Sequence, residues 1–127
     1  MASYAFPKSH RLLTSGDFQA VFADAPVRAS HKHFLILARP NGESHSRLGL
    51  VIAKKHIRLA TRRNRLKRLI RETFRHQQPT LGGIDVIVLA RKGMDELDNR
   101  QLHDQLDGQW RRIARKAQKS TDTTPTG

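Results

Sequence analysis

The stretch KKHIRLATRRNRLKRLIRETFR, from Lys54 to Arg75, decides how the rest of this sequence can fold. It contains ten of the 24 Lys and Arg residues of the chain and a single acid, Glu72. From Ala60 onward, residues recur at the spacing of one buried helical face, and they are Leu66, Leu69, Ile70, Thr73 and Phe74. The opposite sector, roughly 60° wide at about 100° per residue, contains Asn64, Arg68, Arg71 and Arg75. The pattern predicts a helix that docks one face on a core and exposes a row of guanidinium groups.

This exposed row is unusual for a solvated helix because it contains no acid. Glu–Lys pairs four residues apart stabilise helices in water, whereas like charges at that spacing are destabilising. Arg71 and Arg75 are four residues apart, and Arg68 precedes Arg71 by three. A polyanion bound along the row would neutralise this repulsion. The alternative is a basic face that contacts only water.

The charge of the whole sequence indicates the same class of partner. Its 127 residues carry a formal net charge of +13 and give a pI near 11.4, which opposes compaction unless an anion is bound. Nucleic acid offers closely spaced phosphates to such a protein. An anionic membrane is the rival partner, but a helix on a membrane surface needs its apolar face free, and here that face suits a core.

Cysteine usage and hydropathy bear on the compartment. The sequence contains no cysteine, which excludes disulfides and thiolate sites and fits a reducing cytoplasm. The first eight residues lack the apolar run of a signal peptide, and no segment approaches the roughly 18 apolar residues of a membrane span. We therefore expect a cytoplasmic protein with no membrane partner.

Turn signals and hydrophobic periodicity divide the chain into six elements. They are a helix over 17–24 capped by Thr14 or Ser15, strands over 33–39 and 47–53 joined as a hairpin, the helix from Ala60, a strand over 84–90 and a helix over 94–118. Pro79 to Gly83 is expected to end the central helix. The order α-β-β-α-β-α predicts one α+β domain with a mixed sheet packed by helices. Its compact core is expected over residues 9–118, followed by a disordered tail over 119–127.

Residues suited to catalysis are sparse. The seven histidines are scattered, and His31 and His33 lack further ligands with which to hold a metal. No nucleophile-elbow or phosphate-loop motif occurs. We therefore expect neither a catalytic residue nor a metal-binding residue in the polypeptide.

The aromatic residues leave two roles open. Phe18 and Phe22 share one face of the first predicted helix. Such pairs usually belong to a core, but a ring exposed beside a basic groove can stack an unpaired base. Trp110, on the last predicted helix, is expected in the core.

The run from Ile57 to Arg71, with Arg63-Asn64-Arg65 at its centre, resembles the signature of the bacterial ribonuclease P protein family. Every position that this signature constrains is filled acceptably. Three further segments are similar to the family: Arg11-Leu12 with Asp17-Phe18-x-x-Val21-Phe22, Leu48-Gly49-Leu50 leading to Lys54-Lys55, and Asp85 through Arg91. The resemblance covers about Arg11 to Ile113.

The resemblance implies a subunit of an endoribonuclease that removes the 5′ leader from precursor tRNA. The catalyst would be an RNA with bound Mg²⁺, and the protein alone would bind no cofactor and need no protein partner. The implied contacts to the catalytic RNA are Arg62, Arg63, Asn64, Arg65, Lys67, Arg68, Arg71 and Arg75. The implied leader cleft, between the first helix and the sheet, is lined by Phe18, Phe22, Phe34, Leu35, Leu37, Lys54 and Lys55. The family also implies a left-handed β-α-β crossover around the central helix, against the general right-handed rule.

The sequence departs from the family in the predicted cleft. Val51 and Ala53 stand where family members often carry serines, and Leu37 stands near a common aromatic position. Base stacking would then fall to Phe18, Phe22 and Phe34. Three other functions stay open on the residues alone: a small basic ribosomal or other structural RNA-binding protein, a protein nuclease acting alone, and a helix-turn-helix DNA binder.

Overall fold

From Ala60 on, the basic stretch lies in one helix, α2 (Ala60–Leu81), in a computed structural model that describes Arg11 and residues 14–122 of the chain. The predicted apolar face is confirmed, because Leu66, Leu69, Ile70, Thr73 and Phe74 are all buried. The predicted break at Pro79 is wrong, since Pro79 lies within the last turns of the helix. Burial of Leu81 extends the helix past Pro79, and it ends at Gly82, whose φ of 72° suits a residue without a side chain.

Four strands form one mixed sheet in the order β1-β2-β4-β3. They are β1 (Val27–Ser30), β2 (Phe34–Pro40), β3 (Arg47–Val51) and β4 (Ile84–Ala90). β2 pairs antiparallel with β1 and β4, and β3 pairs parallel with β4. The predicted hairpin between the strands over 33–39 and 47–53 is therefore wrong, because β4 lies between them. The α+β class and the mixed sheet are confirmed, while the left-handed sense of the β3-α2-β4 crossover stays a prediction.

Strand β1 was absent from the predicted order, which becomes α-β-β-β-α-β-α. The sequence Val27-Arg28-Ala29-Ser30 is only four residues long and follows a proline, so its alternation gives a weak signal. In the fold, Val27 and Ala29 are buried, whereas Arg28 and Ser30 are exposed. β1 is thus an edge strand that covers one side of the core.

The first helix, α1 (Ser15–Ala23), begins with a capping box. The Thr14 hydroxyl accepts a hydrogen bond from the Asp17 amide at 3.1 Å, and an Asp17 carboxylate oxygen accepts one from the Thr14 amide at 3.3 Å. Thr14 is therefore the cap, and the helix starts two residues before the predicted position 17.

The last helix, α3 (Asn99–Asp122), starts later and ends later than predicted. Residues 94–96 form a separate 3₁₀ turn, and Asp98 and Gln101 exchange side-chain-to-backbone hydrogen bonds of 2.8 and 3.0 Å at the start of α3. Residues 119–122 are helical, so the predicted disordered tail is wrong for them. Residues 9–10, 12–13 and 123–127, which the predicted core and tail also include, lie outside the described part of the chain.

The sheet has an apolar cluster on each face. Helices α2 and α3 cover one face, where Phe34, Ile36 and Ala38 of β2 are buried. Trp110 is fully buried there, as expected, and its indole N–H donates to the Thr73 hydroxyl at 2.9 Å. Helix α1 covers the other face, where Val21 packs with Leu37 and Ile87. Successive residues of β2 therefore alternate between the two faces of the sheet.

The turn between β1 and β2 depends on a neutral histidine. His31 Nδ1 accepts a hydrogen bond from the His33 amide at 3.0 Å, and the ring stacks on Phe34 with centroids 4.4 Å apart. Burial, with smaller contributions from His33 and Arg91, lowers the pKa of His31 from its ordinary 6.5. Because the folded pKa lies below the unfolded one, the stabilisation is present above about pH 6.5 and is lost as pH falls through the folded pKa.

We expect His31→Asn to make the free energy of unfolding less dependent on pH. An Asn carbonyl oxygen can accept the same local hydrogen bond without titrating, as Asn41 does from the Glu43 amide at 2.7 Å. Urea unfolding at pH 7.5 and pH 5 measures this, and the wild-type chain should lose more stability than the variant, by about 1 kcal/mol or less. Equal losses would show that the His31 ring does not control the turn.

Candidate nucleic-acid interface

The outer side of α2 presents a row of polar side chains to solvent. Asn64, Arg68 and Arg71 are exposed, and the part of the chain that the structure describes offers Asn64 and Arg68 no hydrogen bond or ion pair. Arg75, the last member of the row, and Lys67, which flanks it, are half-buried. A rigid helix thus holds the guanidinium groups outward at about 1.5 Å of rise per residue, where they can make bidentate contacts to phosphates.

Arg11, near the start of the chain, adds a further guanidinium group close to Arg71 in this row. Arg11 forms an isolated parallel bridge with Leu48 at β3. Partial burial, together with the positive charge of Arg11, lowers the pKa of the Arg71 guanidinium from its ordinary value. Two guanidinium groups that repel each other in this way favour a bound anion.

Three other arginines of the predicted RNA-contact set already have partners in the protein. Arg62 pairs with Asp95 at 3.0 Å, and Arg63 donates to the carbonyls of Ile57 and Arg58 at 2.9 and 2.8 Å. Arg65 donates to the Asn99 side chain and to the carbonyls of Asp95 and Leu97, all within 2.9 Å. These arginines join α2 to its preceding loop and to the start of α3. Helical spacing already places these three arginines outside the sector that contains Arg68 and Arg71, but the family resemblance assigned all five to RNA contacts.

The face of the sheet under α1 is organised in three rows across the strands. The first row is polar: Arg39 and Arg47 are register partners of Asp85. The second contains Leu37 and Ile87, which Val21 covers. The third contains Leu35, Leu89 and Val51 in register, and all three are only partly buried. The third row is therefore an apolar strip that α1 leaves partly open.

The polar row fastens α1 over the sheet. Arg47 donates to both carboxylate oxygens of Asp85, at 2.8 and 2.6 Å, and lies 3.9 Å from a carboxylate oxygen of Asp17 in α1. The hydrogen bond to Asp85 is the main cause of the raised pKa of Arg47. Arg39 donates to the carbonyl of Ala20 at 3.0 Å. Both arginines therefore fix the position of α1 relative to the open strip.

The structure brings most of the predicted cleft residues to this face. Phe18 packs against the cluster that contains Leu35 and Leu37. Phe22, four residues further along α1, has 48% of its surface exposed. Lys54 and Lys55 are exposed three and four residues after the end of β3, the strand that contributes Val51 to the open strip.

Phe34 is the exception, and its predicted place in the cleft is wrong. Its side chain is fully buried in the core under α2 and α3, because successive residues of a strand point to opposite faces. Leu89 and Val51 take its place in the open strip, although neither was in the predicted set. Alternation along β4 groups Leu89 with Ile87, but only the pairing of β4 with both β2 and β3 shows that Leu89 is central.

A comparison of the sequence with protein-family models decides the family. The model described as Ribonuclease P matches residues 6–114, which include α1, the whole sheet and the basic helix. The chain belongs to the ribonuclease P protein family.

Individual members of the ribonuclease P protein family match over nearly the whole chain. The ribonuclease P protein component of Chromohalobacter salexigens is 50% identical over 127 residues, covering 99% of both chains. That of Pseudomonas aeruginosa is 54% identical over 115 residues, covering 91% of this chain and 85% of the relative. The resemblance that the signature around Arg63-Asn64-Arg65 indicated is confirmed.

Solved structures of the ribonuclease P protein family share the fold. A mutant of the Staphylococcus aureus RNase P protein superposes with a TM-score of 0.76 at 29% identity, covering 85% of this chain and 90% of that one. The RNase P protein from Thermotoga maritima gives 0.72 at 35% identity, covering 81% and 96%. As a family member, the chain is a component of ribonuclease P, an endoribonuclease of tRNA processing, and acts with the RNA subunit of that enzyme.

Within Arg11 and residues 14–122, the side chains that could hold a Mg²⁺ ion for ribonuclease P do not come together. No group of three or more His, Asp or Glu side chains lies close enough to share a metal within the described residues, and the basic row would repel a cation. The prediction that the RNA holds the Mg²⁺ stays a prediction. Among the same residues, no helix is both long enough and apolar enough to cross a membrane.

Proposed function

We propose that this chain is the non-catalytic, RNA-binding subunit of a ribonuclease P that removes the 5′ leader from precursor tRNA in the cytoplasm. The observation that carries this proposal is the outer row of α2. Asn64, Arg68 and Arg71 are exposed on a rigid helix that is anchored by its other side chains. Such a row suits the backbone of a structured RNA, which we take to be the catalytic RNA.

The chemistry of leader removal belongs, in this proposal, to the RNA. Mg²⁺ ions held by the RNA would activate the water that hydrolyses the phosphodiester. The arginines of α2 would screen the repulsion between the phosphates of the two RNAs, so that the precursor tRNA binds more tightly. No obligate protein partner is needed for this role.

The opposite face of the sheet suits the single-stranded leader. The open strip of Leu35, Leu89 and Val51 offers an apolar floor, and Phe18 and Phe22 stand on the helix beside it. Unpaired bases bind to such apolar and aromatic surfaces with little sequence preference. Lys54 and Lys55, exposed at the end of β3, can contact the leader phosphates. An RNA strand in this cleft would be separated from the catalytic RNA by the thickness of the sheet and α2.

Reconstitution tests the proposal. The purified chain, added to a bacterial ribonuclease P RNA at a Mg²⁺ concentration where the RNA alone is slow, should increase the rate of leader removal. The chain without RNA should leave precursor tRNA intact. Cleavage by the protein alone would support a protein nuclease, and failure to stimulate the RNA would support a structural RNA-binding protein. Family membership already argues against the ribosomal alternative.

A further inference from the structure

A second group of cations belongs to α3 and the edge strand β1 rather than to α2. It consists of Arg28 on β1 and Arg111, Arg112, Arg115 and Lys116 on α3, which we call the β1–α3 surface. No acid occurs in the sequence between Asp107 and Asp122. The N-terminal half of α3 differs, because it carries Asp104 and Asp107, and Asp107 pairs with His103 at 3.2 Å.

A hydrogen bond between residues distant in the sequence helps to join the two elements of this surface. The Lys116 ammonium donates to the backbone carbonyl of Arg28 at 2.6 Å, so α3 is fixed beside the sheet edge. Trp110 reaches α2 through Thr73, and Arg112 and Lys116 therefore lie on a different side of α3 from the contact with α2. The arginine side chains of α3 are exposed, and the structure gives Arg111, Arg112 and Arg115 no hydrogen bond or ion pair with any described residue.

The helix dipole does not explain these arginines. Cations stabilise a helix only within its last turn. Because α3 continues to Asp122, Arg111 and Arg112 lie ten or eleven residues before its end, about 15 Å upstream at 1.5 Å per residue. A charge at the sheet edge can prevent edge-to-edge aggregation, which accounts for Arg28 but not for side chains on the helix.

The charges on α3 also oppose each other. Arg111 and Arg115 are four residues apart, as are Arg112 and Lys116, and like charges at that spacing destabilise a helix. Binding of a polyanion would neutralise both pairs, as it would for the row on α2. We propose that the β1–α3 surface binds a second segment of RNA phosphate backbone, distinct from the segment on α2; this rests on the proposed RNA-binding function.

The matched pair of double variants Arg112→Gln/Arg115→Gln and Lys92→Gln/Arg100→Gln tests the proposal. Both remove two exposed positive charges, but the second pair lies outside the β1–α3 surface. Binding to a bacterial ribonuclease P RNA is measured across a range of KCl concentrations. We expect the first variant to lower the slope of log K against log salt by about 2, one unit for each phosphate contact, and the control to lower it by less than 1.

The same variants, assembled with the RNA, are then titrated with precursor tRNA. If the first variant binds the ribonuclease P RNA more weakly, the surface contacts the catalytic RNA. If only its binding of precursor tRNA is weaker, the surface contacts the substrate. The proposal is overturned if the two double variants bind both RNAs equally well. It is also overturned if Arg112→Gln/Arg115→Gln binds anionic phosphatidylglycerol vesicles more weakly while its slope of log K against log salt for RNA is unchanged. An Arg68→Gln variant, measured in the same titrations, tests RNA binding by α2. If it weakens binding and the β1–α3 variant does not, only the β1–α3 proposal fails and the proposed function stands.

Discussion

Replacement of Arg68 and Arg71 by glutamine should weaken binding to the catalytic RNA by about 100-fold or more, because each removes a charge-assisted contact of about 1.5–3 kcal/mol. The slope of log K against log salt should also decrease by about 2. Both side chains are exposed, and glutamine is a good helix former. The melting temperature should therefore stay the same or rise slightly, since repulsion with Arg11 is relieved. Filter binding and thermal unfolding measure the two effects separately.

The variant Arg62→Gln/Arg65→Gln is the matched control, because it removes the same net charge from the same helix. These guanidinium groups bind Asp95, Asn99 and backbone carbonyls. We expect this variant to lose about 1–2 kcal/mol of unfolding free energy and to change the salt slope by less than 1. If the two double variants reduced the slope equally, the division of the arginines into RNA-binding and structural sets would be wrong.

This division shows how far the sequence could predict the basic helix. Periodicity was sufficient to place Leu66, Ile70 and Phe74 in the core, because burial of one helical face is a local property. The partners of Arg62 and Arg65 come from residues 95–99, about 30 positions away. Spacing separates Arg62 and Arg65 from the sector of Arg68 and Arg71 but cannot name such partners, and the family resemblance gave all of these arginines one role.

The sheet was predicted less well than the helices for the same reason. The strand over 84–90 was predicted with its observed bounds, since a short run of β-branched residues between turn signals is a local signal. Pairing is not local. A turn at Pro40-Asn41-Gly42 favoured a hairpin, but β4 pairs with β2 along seven residues and with β3 along five. The free energy gained by burying both faces of β4 outweighs the smaller entropic cost of closing a short hairpin loop.

The same pairing decides which residues can form the leader cleft. Both faces of β2 are apolar, so its sequence could not show which face α1 covers. The structure places Leu35 and Leu37 under α1 and Phe34 on the other side. The register then adds Leu89 and Val51 to the open strip. The apolar Val51 stands where the resemblance implies serine, so it would extend the floor of the proposed cleft and favour contacts with bases over contacts with sugar and phosphate.

Phe22→Ala should weaken binding of a reconstituted holoenzyme to precursor tRNA by about tenfold, within the 1–3 kcal/mol range of one base–aromatic stack. Binding of mature tRNA, which lacks the leader, should not change. Phe22 is the better test than Phe18, because Phe18 packs against the cluster under α1 and its removal would also destabilise the fold. Phe22 is 48% exposed, so the alanine variant should unfold at nearly the wild-type temperature.

Leu59→Ala is the matched control for Phe22→Ala. Leu59, at the start of α2, is the other large apolar residue exposed among those the structure describes, with 57% of its surface accessible. Its removal deletes a similar exposed apolar surface from the start of α2, the helix that covers the opposite face of the sheet from α1. We expect the Leu59→Ala holoenzyme to bind precursor tRNA, and also mature tRNA, as tightly as the wild-type holoenzyme does. A leader-specific loss confined to Phe22→Ala would support the cleft, because only a ring beside the open strip can respond to nucleotides that mature tRNA lacks. Equal losses for both tRNAs would instead make Phe22 part of a general RNA contact.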